Sequence, residues 1–339
     1  MQRSQLALII CITFILYLFW SDRKNNTETS YAIWLPFTWI FLASSRPFSS
    51  WFNLNRNITM SAAQAYDEGS PIDAFVFGLL IAAGVMVLFR RKIDWGQFFK
   101  RNKCIWLYFL YCTISIFWSD NSFLTFKRLI KELGNLVMIM IIITEACPFE
   151  ALGIILKRLA FLIVPLSILF INYYPSLGRA YDIAGNQMST GVCNQKNLLG
   201  KSCLIIGIYF IWYYFVKQKD NFKILTKENM LNYILIVMLI WLLYKAQSST
   251  SSTCLVVALC LLFMSRIKSI SRKPASIIAL SISVAALFAV LEATLHLSNF
   301  IIIDILGRDP TLTSRTYIWQ ILMNKVTNPL IGSGYMSFW

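Results

Sequence analysis

Ten apolar runs follow one another between residues 4 and 297, and they leave this chain few folds to choose from. They read as 4–20, 31–45, 74–89, 104–118, 129–146, 159–173, 198–216, 231–247, 253–265 and 275–297. A helix needs about 20 mainly apolar residues to cross the hydrocarbon of a bilayer, and every backbone polar group inside lipid must be satisfied within the protein. A membrane barrel would alternate apolar and polar residues, whereas these runs are continuous. The expectation is an all-α polytopic membrane protein with about ten transmembrane helices. Composition agrees, because 57% of the 339 residues are hydrophobic and 14% are charged, far from the balance of a soluble domain. Several runs fall short of a full crossing and would recruit interfacial aromatics such as Trp106, Trp118, Tyr173 and Trp212. The first run ends in Phe19-Trp20-Ser21-Asp22 with no small-residue cleavage site, so it reads as a span and not as a removed leader.

The formal charge of +15 would suit nucleic acid, but the basic residues gather in short loops, where membrane topology places them. No nucleic-acid partner is expected; the partner is the lipid bilayer. Arg90, Arg91, Lys92, Lys100, Arg101 and Lys103 crowd one loop. Lys217, Lys219, Lys223 and Lys227 fill a second, and Arg266, Lys268, Arg272 and Lys273 a third. With ten spans all three lie on one side, which the positive-inside bias makes the cytoplasm. The outward segments are then 46–73, 119–128, 174–197, 248–252 and 298–339. The eight cysteines sit mostly inside apolar runs with no metal-ligand spacing, so they read as small hydrophobes, and neither metal nor cofactor is expected. Lone His296 reads as structural, and Glu292 is the plainest mid-span charge.

Basic side chains on the outward side run against the topological bias, and an anionic ligand would explain them. Lys127, Arg128 and Lys131 follow Trp118-Ser119-Asp120 in the first turns of the next helix, where backbone N–H groups favour an anion. Arg179 ends Tyr174-Pro175-Ser176-Leu177-Gly178-Arg179. Asn194 and Asn197 are expected to cap the helix starting near 198, which places Lys196 at its positive end, an unfavourable position without a counter-anion. Arg308 and Arg315 surround Asp309, Pro310 and three threonines ahead of an amphipathic helix from 315 to about 326. Guanidinium forks match phosphate oxygens in pairs. The domain reading is a helical bundle, 1–297, followed by an outward, periplasmic loop with its amphipathic helix, 298–339. The polar turn 247–253 reads as an ordinary connection.

Five stretches in order, SRP with SSW and GSPID, WSDNSFLTFKRLIKELG, YYPSLGRAYD, GVCNQKNLLG, and LGRDPTLTSRTYIW with NPLIGSGYMSFW, resemble the bacterial O-antigen ligase and exopolysaccharide polymerase superfamily. The similarity covers most of the chain and points to its exopolysaccharide-production branch. It implies a metal-independent glycosyltransferase of the bacterial inner membrane, active at the periplasmic face. Such an enzyme moves a glycan from an undecaprenyl-diphosphate donor to a saccharide or a lipid A core acceptor. On that resemblance Arg308 and Arg315 are the expected catalytic pair, and Arg128, Arg179, Lys196, Asn197 and Asp120 are expected to hold substrate. Outward cations would stabilise charge on the departing diphosphate. Two departures stand out: Ser314 replaces the usual glycine before the arginine, and the histidine motif expected after SFW is absent. A shortened, catalytically impaired member is the expectation these raise. The competing classes are a transporter or flippase for a lipid-linked substrate, which would want paired broken helices and mid-span charges, and a non-catalytic membrane subunit.

Overall fold

A computed structural model describes residues 2–25, 30–52, 70–181, 185–213, 227–264, 315–324, 328 and 331–337, with isolated positions at 267, 275, 279, 282–283, 286–287 and 290. The main helices are α1 (Gln2–Asn25), α2 (Trp34–Ser44), the single turn α3 (Phe48–Trp51), α4 (Pro71–Arg90), α5 (Trp95–Arg101), α6 (Lys103–Ile114), α7 (Ser122–Ile143) and α8 (Pro148–Tyr173). After the turn α9 (Pro175–Gly178) comes a hairpin of β1 (Arg179–Tyr181) and β2 (Gln187–Ser189), then α10 (Lys196–Trp212), α11 (Lys227–Ala246), α12 (Ser249–Met264) and α13 (Arg315–Met323). The strands pair antiparallel, with Ala180 opposite Met188. The first nine expected runs are therefore helical. The tenth is described only at isolated positions, and Glu292 and His296 lie outside the described residues.

Three helical segments, Arg3–Arg23, Pro71–Arg90 and Pro148–Tyr173, are long and apolar enough to cross a membrane. The 26 residues of α8 would extend about 39 Å at the α-helical rise. It is the central column. Ile155, Phe161, Ile163 and Val164 are buried on α8 together with Leu199, Cys203 and Phe210 of α10 and Leu235, Leu239 and Leu242 of α11. A helix apolar on all sides belongs in such a place or in lipid. The peripheral helices show the second case: α1 exposes Leu6, Ile9, Ile10 and Leu16, and α4 exposes Phe75, Leu79, Met86 and Phe89. The protein is an all-α membrane protein.

Cross-helix bonds fix the directions of the helices. At one end of α1 the Ser4 carbonyl accepts from the Tyr174 hydroxyl at 3.2 Å. At the other, Asp22 meets Lys157 at 3.2 Å and Arg158 at 3.0 Å, so α1 and α8 are antiparallel. Asp73, in the first turn of α4, accepts from Ser49; beyond its last turn Arg91 reaches the Ile141 carbonyl, Thr144 and Glu145 at the end of α7. Hence α4 and α7 are parallel. Between them α2 runs the opposite way, with Trp39 Nε1 donating to Asn135 Oδ1 at 2.7 Å. One end of the bundle carries Arg46, Asp73, Ser119 and Arg179, and is called the motif end. The other carries Asp22, Arg91, Glu145 and Arg158, and is called the ion-pair end.

Two expected boundaries move. The run taken from 129 starts at Ser122, because Asn121 caps α7 by accepting from the Leu124 N–H at 3.1 Å. The run taken from 159 starts at Pro148, and Lys157 and Arg158, which break the apolar pattern, stay inside α8 because Asp22 pairs with both.

Candidate functional site

The motif end is built from two clasps, each joining stretches far apart in the chain. In the first, Trp118-Ser119-Asp120-Asn121 receives the turn 331–337. The Ile331 carbonyl accepts from Trp118 Nε1 at 3.1 Å and from the Tyr111 hydroxyl at 3.0 Å. The Tyr335 N–H donates to Ser115 Oγ at 2.9 Å, and the Asn121 N–H to Ser337 Oγ at 3.3 Å. Gly334, at φ +97°, lies so close to Ser119 that a Cβ would stand 2.6 Å from the serine Cβ, so this turn needs glycine both for its backbone and for its seat. Arg128, in the second turn of α7, donates to the Met336 carbonyl. Ser119 Oγ and Thr125 Oγ1 share a hydrogen bond of 2.6 Å, which holds the entry to α7 in place.

The second clasp joins the SRP and GSPID stretches to PSLGR and GVCN. Asp73 holds the Ser49 N–H at 2.8 Å and hydroxyl at 2.7 Å. Arg46 donates to the Leu177 carbonyl and, at 3.5 Å, to that of Gly191, with its guanidinium 6.0 Å from the centre of the Phe170 ring. Its Nε is buried without a hydrogen-bond partner. Burial lowers the Arg46 pKa from its ordinary value, with neighbouring Cys193 acting in the opposite direction. The Cys193 thiol cannot serve as a counter-ion. It donates to the Ser44 carbonyl at 3.0 Å, and burial pushes its pKa up to about 12 against the smaller pull of Ser202 and Arg46. Gly178 passes over the end of α8 so closely that a Cβ would collide with the Phe170 carbonyl. That close approach delivers Arg179 to the Ile171 carbonyl, where Nε donates at 2.9 Å, with Nη1 3.4 Å from Gln187 Oε1.

The expected site residues divide between these clasps. Arg128 and exposed Asp120 belong to the first, and Arg179, half-buried Lys196 and exposed Asn197 to the second. Lys196 opens α10, but the expected caps are not seen: the capping position is Gln195, which makes no side-chain cap bond. The chain enters α10 through an extended Gln195, so Asn194 stays exposed outside the helix and Asn197 falls within its first turn. Arg308 lies outside the described residues, and of Arg315 only its position at the start of α13 is described. Among the described residues neither Arg46, Arg179 nor Lys196 has an ion pair. No group of three His, Cys, Asp or Glu among the described residues is placed to hold a metal ion. Arg46 is the residue that reading the chain missed. Its signal was present, an arginine on the outward side directly after an apolar run.

Chemically, a set of guanidinium and ammonium groups with few carboxylates, held on backbone carbonyls at one end of an apolar bundle, is suited to an anionic headgroup. Charge-assisted donors gain most against phosphate oxygens, and the low dielectric around a half-buried arginine strengthens that attraction.

No family model matches the chain, and no solved structure matches it. Among curated proteins it is 28% identical over 244 residues to the exopolysaccharide production protein ExoQ of Rhizobium meliloti, an alignment covering 69% of this chain and 52% of that protein. The chain spans about half the length of the relative it matches.

Proposed function

We propose that this protein is a membrane glycosyltransferase of surface-polysaccharide assembly, taking a glycan from an undecaprenyl-diphosphate carrier and passing it to a saccharide hydroxyl at the motif end. The observation that carries this reading is Arg46, a partly buried guanidinium satisfied by carbonyls, with an unpartnered Nε and no carboxylate. The likeness to an exopolysaccharide production protein supports a saccharide substrate, and the helices long enough to cross a bilayer suit a lipid-borne donor. In this reading the motif end faces the periplasm across the bacterial inner membrane. Arg46, Arg128 and Arg179, joined by Lys196, Arg308 and Arg315, hold the diphosphate and stabilise the charge that grows on it as the glycosidic bond breaks. Asn197 and Asp120, both exposed at that end, contact the sugars.

The test uses the full chain in lipid nanodiscs with a synthetic polyprenyl-diphosphate oligosaccharide and a fluorescent saccharide acceptor. Transfer to the acceptor is expected in the wild type, with losses of about 100-fold or more in Arg46→Gln and in Arg315→Ala, the scale of removing one preorganised donor to a developing anion. The same variants in sealed vesicles separate transfer from transport. Uptake of lipid-linked oligosaccharide without any transfer would overturn the enzyme reading in favour of a transporter.

A further inference from the structure

One ionisable group of the bundle plays no part in holding an anion. Glu132 stands on α7 about 15 Å along the helix from Ser122 at the α-helical rise, where a carboxylate is costly and needs a reason. It is fixed from one side by a relay of neutral groups: Trp39 Nε1 donates to Asn135 Oδ1 at 2.7 Å, and Asn135 Nδ2 donates to Glu132 Oε2 at 2.9 Å. On another side stands the turn 331–337. With its N–H on Ser115, Tyr335 turns its ring edge-on to Tyr108 of α6, centroids 6.4 Å apart at 84°, and the two phenols share a hydrogen bond. The negative charge of Glu132 acts on both phenols and on the Cys112 thiol. Arg128 and Lys131 flank it on its own helix, but Lys131 lies over the Phe77 ring of α4, 5.4 Å from its centroid, and Arg128 reaches up to Met336. So a carboxylate, two phenols and the motif-end turn share one place, just beneath the cations.

We propose that Tyr335, Tyr108 and Glu132 form a proton-accepting site, in which Tyr335 meets the acceptor sugar hydroxyl and Glu132 is the final holder of its proton. This rests on the transfer reading above and supplies what that reading lacks, since the cations can stabilise a leaving group but cannot take a proton. In the step, the acceptor oxygen forms a bond to the anomeric carbon of the donor glycan as the bond from that carbon to the diphosphate oxygen breaks. The bonding pair leaves with the diphosphate. The hydroxyl proton passes to the Tyr335 oxygen while a phenol proton passes on, through the Tyr335–Tyr108 pair, to the Glu132 carboxylate. Tyr335 touches substrate, so it is the catalytic residue; Glu132 acts through it. Burial, the Tyr108 hydrogen bond and the Glu132 charge raise the Tyr335 pKa, so the phenol stays protonated and relays a proton without resting as a phenolate.

The experiment compares the full-chain wild type with Glu132→Gln, Glu132→Asp and Tyr335→Phe in the nanodisc assay with the polyprenyl-diphosphate oligosaccharide and saccharide acceptor. Glutamine keeps an oxygen for Asn135 and removes the charge. Loss of a positioned general base is expected to lower kcat by about 100-fold or more, with KM for both substrates within about twofold and the melting temperature unchanged. Aspartate should restore part of kcat, and phenylalanine should lower it without changing KM. If the wild type transfers and Glu132→Gln matches its kcat, the relay is wrong and the transfer reading stands. If Glu132→Gln melts early, Glu132→Asp and Tyr335→Phe decide: activity of both at the wild-type level overturns the relay. A wild type that transfers nothing overturns the transfer reading and the relay together.

Discussion

The two ends of the bundle treat buried charge in opposite ways. At the ion-pair end, Asp22, 2% exposed, holds Lys157 and Arg158, and Glu145 pairs with Arg91 while accepting from Ser30 at 2.6 Å. Arg158 also lies 4.6 Å from the Trp34 ring centroid. Each cation there meets a carboxylate, and the local charge closes on itself. At the motif end Arg46 and Arg179 rest on the carbonyls of Leu177, Gly191 and Ile171. A carbonyl satisfies the donor but leaves the net charge in place. Both arrangements keep a desolvated guanidinium hydrogen-bonded, as burial demands, but only the second leaves a field for an outside anion to answer. One end holds helices together. The other holds them apart from neutrality.

The sharpest way to break this contrast is Asp22→Asn. With the carboxylate gone, Lys157 and Arg158 would be left as uncompensated charges inside α8, and about 3–5 kcal/mol of stability should go with it. Thermal unfolding in nanodiscs reads it directly, and a loss below about 1 kcal/mol, the scale of an exposed pair, would remove the distinction between the ends. Next in size is Arg46→Gln. It forfeits charged hydrogen bonds to carbonyls, which contribute about 1.5–3 kcal/mol, so the protein should still fold. Its larger effect should be on binding: a polyprenyl diphosphate should bind about 10-fold or more weakly by titration, whereas Glu145→Gln at the opposite end should leave that affinity alone. Equal loss in both variants would mean that charge at either end matters only through the fold.

The contrast was half legible in the chain. Continuous apolar runs fixed nine helices, because a run of that kind has no other stable place than a core or lipid. The wrong-side cations pointed to Arg128 and Arg179 for a physical reason, the positive-inside bias, and both lie at the motif end. The beginning of α8 was hidden by Lys157 and Arg158, since their partner Asp22 lies on another helix and no local pattern announces it. Arg46 was hidden for the same reason, its carbonyl partners standing 131 and 145 positions further along the chain. Glu132 sits among Lys127, Arg128 and Lys131 and resembles an ordinary helix-face acid until Tyr335 is brought beside it. Asn194 and Asn197 misled because their composition suits a cap, while the backbone at Gln195 supplies none. Tertiary pairing, and not local preference, decides all of these.

The smallest effect concerns the seat of the turn 331–337, and it tests whether that turn belongs to the motif end at all. The Tyr335 phenol is raised from an ordinary value of 10.0, first by burial and then by Tyr108 and Glu132. An acid whose folded value is raised binds its proton more tightly in the folded state, so its contribution is whole below pH 10 and is lost as pH climbs from there through the folded value. The melting temperature should therefore fall above about pH 10 in the wild type. Lysines such as Lys157 titrate in the same range and would lower it too, so the informative quantity is the difference from Tyr335→Phe, which has no phenol to ionise. That variant should lose about 1–3 °C less than the wild type over the same rise. Identical alkaline profiles would mean that Tyr335 titrates as it does in the unfolded chain. The turn would then not be seated against α6 and α7, and the first clasp would be removed from the motif end while leaving Arg46 and the second clasp intact.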